Sequence, residues 1–310
     1  MSRPIGGQAV IEGVMMRDQQ DMTIAVRCPD SRIHVVTKKL NSLAQKYPFL
    51  KLPVLRGVLT FFESLVLGVK TLNMSMELAL EEEEETLEDW QVWATTSFAL
   101  ILGILLFILL PTFLVRFLLA STPQIPLVMN ISEGALRLLI FLGYLVAISR
   151  MKDIQRVFQY HGAEHMVIHC YEAGMPLTVE NSRKFSPLHT RCGTSFLLLV
   201  MVISIIFFSF FGWPNLGVRI LTRLALLPLV AGLSYEAIRY LGRKNNWLSR
   251  IISCPGVFLQ RFTTRIPEDS QLEVALKALE PLVNGDIQGE PPETELLPEN
   301  IQREHTAAEK

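Results

Sequence analysis

The stretch WATTSFALILGILLFILLPTFLV, residues 93–115, contains no Asp, Glu, Lys or Arg. A helix of roughly 20 apolar residues crosses the hydrocarbon core of a bilayer, and this run reaches that length. A second charge-free run extends from Gly193 to Val218. A soluble core can hide one such run, but two in a chain of 310 residues predict an integral membrane protein. Composition agrees: half of the residues are hydrophobic and 19% are charged, against roughly 25% charged in soluble domains.

Four spans are expected from these runs outward, at 93–115, within 127–149, at 194–212 and at 219–240. In the second, Glu133 and Arg137 stand four apart and can pair near the headgroups instead of facing lipid. The fourth carries Arg223, Glu236 and Arg239. Basic residues set the orientation. Arg150, Lys152, Arg156, Arg183, Lys184 and Arg191 fall between the second and third spans, and Arg243, Lys244, Arg250, Arg261 and Arg265 follow the fourth. The other two connections are almost uncharged, so both termini and the 150–193 loop are expected in the cytoplasm. No basic-then-apolar leader opens the chain, so the spans themselves are expected to direct insertion.

The segments outside the spans read differently. Residues 1–45 are β-rich: Met22 to Arg27 and Arg32 to Thr37 flank the turn Pro29-Asp30-Ser31 and predict a hairpin, with GGQAVIEGVMM before it as a further strand. Residues 46–91 are expected to hold an amphipathic helix at the membrane interface, because Arg56, Glu63, Lys70 and Glu77 recur every seventh position and form one polar stripe. An acidic run, Glu81 to Glu85, follows it. The expected organisation is then a four-helix membrane domain over 92–242, a cytoplasmic segment with a helix over 243–284 and a disordered, Glu- and Pro-rich tail over 285–310. The fold class is mainly α, polytopic, with a small cytoplasmic β region. Net charge is −1, which excludes a nucleic-acid binder that must neutralise phosphates. Cys28, Cys170, Cys192 and Cys254 are scattered and read as free thiols.

The chemistry is concentrated in YHGAEHMVIHCYEAG, residues 160–174. On a helix, His161, His165, His169 and Glu172 share one face and Glu164 stands beside it. Imidazoles at i and i+4 can chelate a divalent metal ion from one helix. The order H-x-x-E-H, His161 to His165, supplies two ligands and a glutamate general base in one class of zinc peptidases. HTRCGTS, residues 189–195, adds His189 and Cys192 as further ligands; alternatively Cys192 is a nucleophile activated by His189, or a packed thiol at a helix start. Glu236 is either a distant carboxylate ligand or a partner of Arg239. The plain structural alternative for the histidines is hydrogen bonding to headgroups or backbone.

These motifs, with GGQAVIEGVMMR at 6–17 and PGVFLQRFTTRIPEDSQLEVALKAL at 255–279, resemble the YqhQ-type family of bacterial membrane proteins, domain of unknown function 1385. The resemblance runs from about Pro4 to Val283, and Met166 stands where it leads one to expect Lys. It implies a bacterial plasma membrane location and a metal-dependent enzyme. The expectation is a zinc hydrolase at the cytoplasmic face. His161 and His165 bind the ion, His169, His189, Cys192 or Glu236 completes the shell, and Glu164 serves as base. Zinc suits imidazole and carboxylate ligands without excluding iron or manganese. The substrate is left open among a peptide, an ester and a lipid headgroup, and so is the oligomeric state. The competing expectation is a non-enzymatic scaffold, metal sensor or assembly factor. A transporter fits less well, because the first and third spans lack polar residues of the kind a pathway needs.

Overall fold

The computed structural model describes residues 3–40, 42–79, 89–121, 123, 125–243 and 247–285. The acidic run Glu81 to Glu85 and nearly all of the tail expected to be disordered lie outside these residues.

Four strands form an antiparallel meander in chain order: β1 (Gly6–Val10), β2 (Gly13–Arg17), β3 (Asp21–Arg27) and β4 (Ile33–Lys39). The expected hairpin is the β3–β4 pair, in register from Asp21 with Lys39 to Arg27 with Ile33. The segment before it supplies two strands rather than one, turning through Ile11 and Glu12, with Glu12 in the left-handed region at φ +50°. Both faces of the sheet are buried. Val14, Met16 and Ala25 pack against α6 (Lys152–Glu172) and α11 (Asp269–Asn284), while Val10, Met15, Ile24, Val26 and Val36 pack against α2 (Leu55–Ala79). Burial on two sides explains why MTIAV reads as a continuous apolar run instead of alternating. A short helix, α1 (Leu43–Lys46), leads into α2, and the Glu63 carboxylate accepts from Ser42 Oγ and the Leu43 N–H at its start.

Among the described residues, three helical segments are long and apolar enough to cross a membrane: Trp93–Leu118, Pro126–Ile148 and Leu216–Tyr240. The first joins α3 (Asp89–Ile104) to α4 (Leu110–Leu118) through a π-helical turn, Leu105–Leu109. Pro111, at the start of α4, has no N–H to offer the preceding turn, which accounts for the irregularity. The other two are α5 (Pro126–Ile148) and most of α9 (Leu216–Arg243). The expected third span is α8 (Gly193–Ser209), apolar but only 17 residues long. Three crossing candidates and one shorter apolar helix thus stand where four spans were expected. Large apolar side chains such as Phe98, Leu100, Leu139 and Leu221 are exposed along these helices.

The loop expected between the second and third spans is largely ordered. It contains α6, which holds the histidines, and the single turn α7 (Val179–Ser182). After α9, α10 (Trp247–Thr263) packs on α8, and α11 closes the layer over the sheet, capped by reciprocal bonds between Glu268 and Gln271 and ended by Gly285 at φ +74°.

Candidate metal centre

Lys152–Glu172 forms a helix because its apolar residues recur on the side that meets β1, β2 and α11, where Tyr160, Ala163, Val167 and Ile168 are buried. The opposite side carries His161, His165 and His169. Opposite these rings stand the 185–192 connection and the first turn of α8.

The carbonyl oxygens around the rings fix their tautomers, since a carbonyl only accepts. His161 donates from Nδ1 to the Thr263 carbonyl at 2.7 Å, and His165 donates from Nδ1 to the Pro187 carbonyl at 2.6 Å. Both Nε2 lone pairs are therefore free, and they turn toward Cys192. His161 Nε2 is 3.2 Å from the sulfur, and the His161 and His165 rings are 4.4 Å apart. The ligand atoms of His161, His165 and Cys192 all lie within 4.8 Å of one another. One thiol proton cannot satisfy two imidazole lone pairs, so this pocket suits a cation. A tetrahedral zinc ion would hold nitrogen and sulfur about 3.6 Å apart, a few tenths of an ångström wider than His161 and Cys192 stand. Burial pushes the His165 pKa down, against the raising effect of Cys192, and keeps the ring neutral as a ligand must be. Cys192 caps α8, its sulfur accepting from the Thr194 N–H.

A second group, His169, Glu172 and His189, adjoins the first, with the His165 and His189 rings 5.6 Å apart. Its hydrogen bonds differ in kind. The Arg191 N–H donates to His189 Nδ1, so the neutral ring carries its proton on Nε2, which faces Glu172 Oε2 at 3.5 Å. His169 donates from Nε2 to the Leu188 carbonyl at 3.0 Å, and Glu172 is also ion-paired to Arg191. The Glu172 pKa is held down chiefly by its bond to His189, with Arg191 adding to it and burial opposing. A free lone pair on His189 Nε2 would cost the Arg191 bond, so His189 is committed to this hydrogen-bonded network, while His169 keeps the lone pair on its Nδ1.

The remaining expected site residues lie elsewhere. Glu164 sits on the adjoining face of α6 beneath β1, where it accepts from the Gly7 N–H. A Cβ at position 7 would stand 2.9 Å from its carboxyl carbon, which is why glycine occupies that position. Burial pushes the Glu164 pKa up to about 7, opposed by His161 and by the Gly7 bond. Glu236 belongs to neither group: it is ion-paired to Arg56 of α2, with Nε to Oε1 at 2.6 Å, rather than to Arg239. The GGQAVIEGVMM segment lies against α6, where Glu12 binds Arg156 and Tyr160.

Gln260 is the residue that sequence reasoning missed. It is fully buried; its Oε1 accepts from the His189 N–H, and its Nε2 donates to the His189 carbonyl and to Ser195 Oγ. A glutamine inside an apolar helix pattern was its only signal. Gly162 was likewise silent, yet it lets the Arg265 carbonyl and Pro187 close on α6.

Fold and site together describe a helical protein with three helices fit to span a bilayer, a doubly covered four-stranded sheet, and a His/Cys cluster where the two meet. Residues 52–284 match the family described as Protein of unknown function (DUF1385), and the chain belongs to that family. It is 33% identical over 296 residues to the Uncharacterized protein YqhQ of Bacillus subtilis (strain 168), covering 90% of this chain and 92% of that protein. No solved structure matches it.

Proposed function

We propose that this chain is a metal-dependent membrane enzyme, a hydrolase at the cytoplasmic face of the plasma membrane, in which His161, His165 and Cys192 hold a divalent ion. The observation that supports this most is the pair of Nδ1–H bonds to the Thr263 and Pro187 carbonyls, which leave two Nε2 lone pairs directed at one sulfur. Metal-binding histidines are oriented in this way, by a bond from the other ring nitrogen. Two imidazoles and a thiolate suit zinc, and three protein ligands leave one position open. When bound, such an ion supplies Lewis acidity and lowers the pKa of water. The chain's own residues orient and shield. Gln260 fixes the His189 backbone beside the rings, and Glu164 holds or releases a proton one turn from His161, outside the ligand set.

Four crossings with the site on the cytoplasmic side fit the basic residues flanking α6. They also fit α8, which runs from Cys192 at the site to Phe208 near its far end, a rise of about 24 Å. Modification of Cys28 and Cys254 by an impermeant thiol reagent in inside-out but not right-side-out vesicles is expected.

Metal analysis of the purified full-length chain is expected to give about one divalent ion per chain, bound tightly enough to survive purification. His161→Ala, His165→Ala and Cys192→Ser lose it, and His189→Ala keeps it. No metal in the unmutated protein would sink the proposal. The competing reading, Cys192 as a nucleophile, draws on the 3.2 Å approach of His161 Nε2 and the α8 N-terminus. It predicts fast iodoacetamide alkylation of metal-free protein at neutral pH, abolished by His161→Ala. A dyad needs one imidazole, however, and two converge here.

A further inference from the structure

At the opposite end of α8 from Cys192, charge inside the helical layer does not balance. Glu133 of α5 is completely buried and accepts from Thr112 Oγ1 at 2.9 Å and from Arg137 Nη2 at 2.7 Å. Arg223 of α9 also contacts it, and donates to Asn130 Oδ1 at 3.1 Å. Arg219, one turn earlier on α9, is only 4% exposed; its guanidinium lies 3.8 Å above the Trp213 ring, and its Nε has no hydrogen-bond partner. Arg137 and Arg223 thus share one carboxylate, and Arg219 has no acidic partner among the described residues. No other acidic residue occurs between Trp93 and Ser149, and Glu236, which is engaged by Arg56 toward the other end of α9, is alone among 193–243. The connections at this end, 119–125 and 210–215, contain no Asp or Glu.

Arg219 and Arg223 lie about 5 and 10 Å along α9 from its start, the depth of headgroups and the first methylenes where the helix crosses a bilayer. Unbalanced charge at that depth is costly and is found paired or lining a functional cavity. Such a cavity is present. It is a half-open recess of about 90 Å³ lined by Asn130, Phe208, Phe211, Arg219, Thr222 and Arg223. Arg219, whose Nε has no partner, can fork a small oxyanion there with Arg223 beside it, arginine being suited to phosphate; Asn130 Nδ2 and Thr222 Oγ1 are already taken by the Phe211 and Val218 carbonyls.

We propose that this pocket binds a phosphate group, presented by a phospholipid headgroup or as free phosphate, on the face of the helical layer opposite the His/Cys cluster. The pocket does not depend on the metal reading, since α8 separates the two sites along its whole length.

The test is native mass spectrometry of the detergent-solubilised full chain with phosphatidylglycerol, with diacylglycerol of the same tails, or with inorganic phosphate. Phosphatidylglycerol is expected to be retained and diacylglycerol lost. Arg219→Gln lowers retention about tenfold, as removal of a charged hydrogen bond should, and Arg219→Lys restores part of it. Gly212→Phe keeps every charge but fills the pocket from a lining position where an added Cβ meets nothing within 4 Å, and it also abolishes retention. This variant decides the matter if Arg219→Gln fails to fold. If inorganic phosphate binds instead and displaces the lipid, the proposal stands with free phosphate as the ligand. Equal retention of diacylglycerol, or binding of neither ligand, would overturn it, as would binding unaffected in folded Arg219→Gln or in Gly212→Phe.

Discussion

Gly162→Ala is the substitution that tests the geometry of the metal centre most directly. Position 162 lies in the middle of α6, between the two histidines that the centre needs. An alanine in a helix ordinarily gains roughly 0.5–1 kcal/mol over glycine. Here the added Cβ would overlap the Arg265 carbonyl oxygen and stand 3.2 Å from its carbon and 3.4 Å from Pro187 Cβ. Neither neighbour gives way freely. Arg265 donates its N–H back to the Phe158 carbonyl at 2.9 Å, and Thr263 and Pro187 are the residues whose carbonyls orient His161 and His165. Overpacking of this kind costs about 1–3 kcal/mol, which outweighs the helix gain. The net loss, about 1–2 kcal/mol, corresponds to a fall in Tm of roughly 2–3 °C for a chain of this size. Pushing either carbonyl aside also loosens an imidazole, for which about a 10–100-fold loss of metal affinity is expected. Gly143→Ala is the matched control, because its Cβ meets nothing within 4 Å and the helix gain stands alone. Tm and zinc affinity should be measured for both variants. A Gly162→Ala protein that melts with the control and binds metal like the parent would refute the assignment of Thr263 and Pro187 as the orienting groups.

Three further outcomes follow from the same contacts. In chelator-stripped protein, Glu164→Gln stabilises more at about pH 8 than at about pH 5. The native carboxyl titrates at about 7 against 4.5, so its penalty is absent below the lower value, grows between the two and reaches roughly 3 kcal/mol above the higher; a pH-independent difference in Tm would contradict this. Glu236→Ala lowers Tm by freeing Arg56 and leaves the metal content unchanged, so loss of metal would return Glu236 to the ligand set. Glu12→Gly and Glu12→Ala both forfeit Arg156 and Tyr160, but the glycine variant sheds the left-handed strain of φ +50° and melts higher, by about 1 kcal/mol of stability. Equal midpoints would mean that the turn carries no strain.

Local pattern was enough for much of this protein. The charge-free run at 93–115 announced a spanning helix, since length and apolarity are properties of one segment and need no partner. The 3.6-residue period set His161, His165 and His169 on one face of α6 before any packing was known, and the turn chemistry of Pro29-Asp30-Ser31 marked the β3–β4 hairpin. Tertiary structure decided the rest, because it depends on what approaches each segment from a distant part of the chain. The Thr263 and Pro187 carbonyls select tautomers that free two lone pairs for Cys192, whereas the Arg191 amide commits His189 to its neighbours. Glu164, beside the histidines in sequence, is drawn under β1 by Gly7, and Glu236 is claimed by Arg56 some 180 residues away. The apolar crossing at 93–115 was therefore legible in isolation, while the choice of metal ligands rested on which carbonyls, amides and guanidiniums the fold brought within bonding distance.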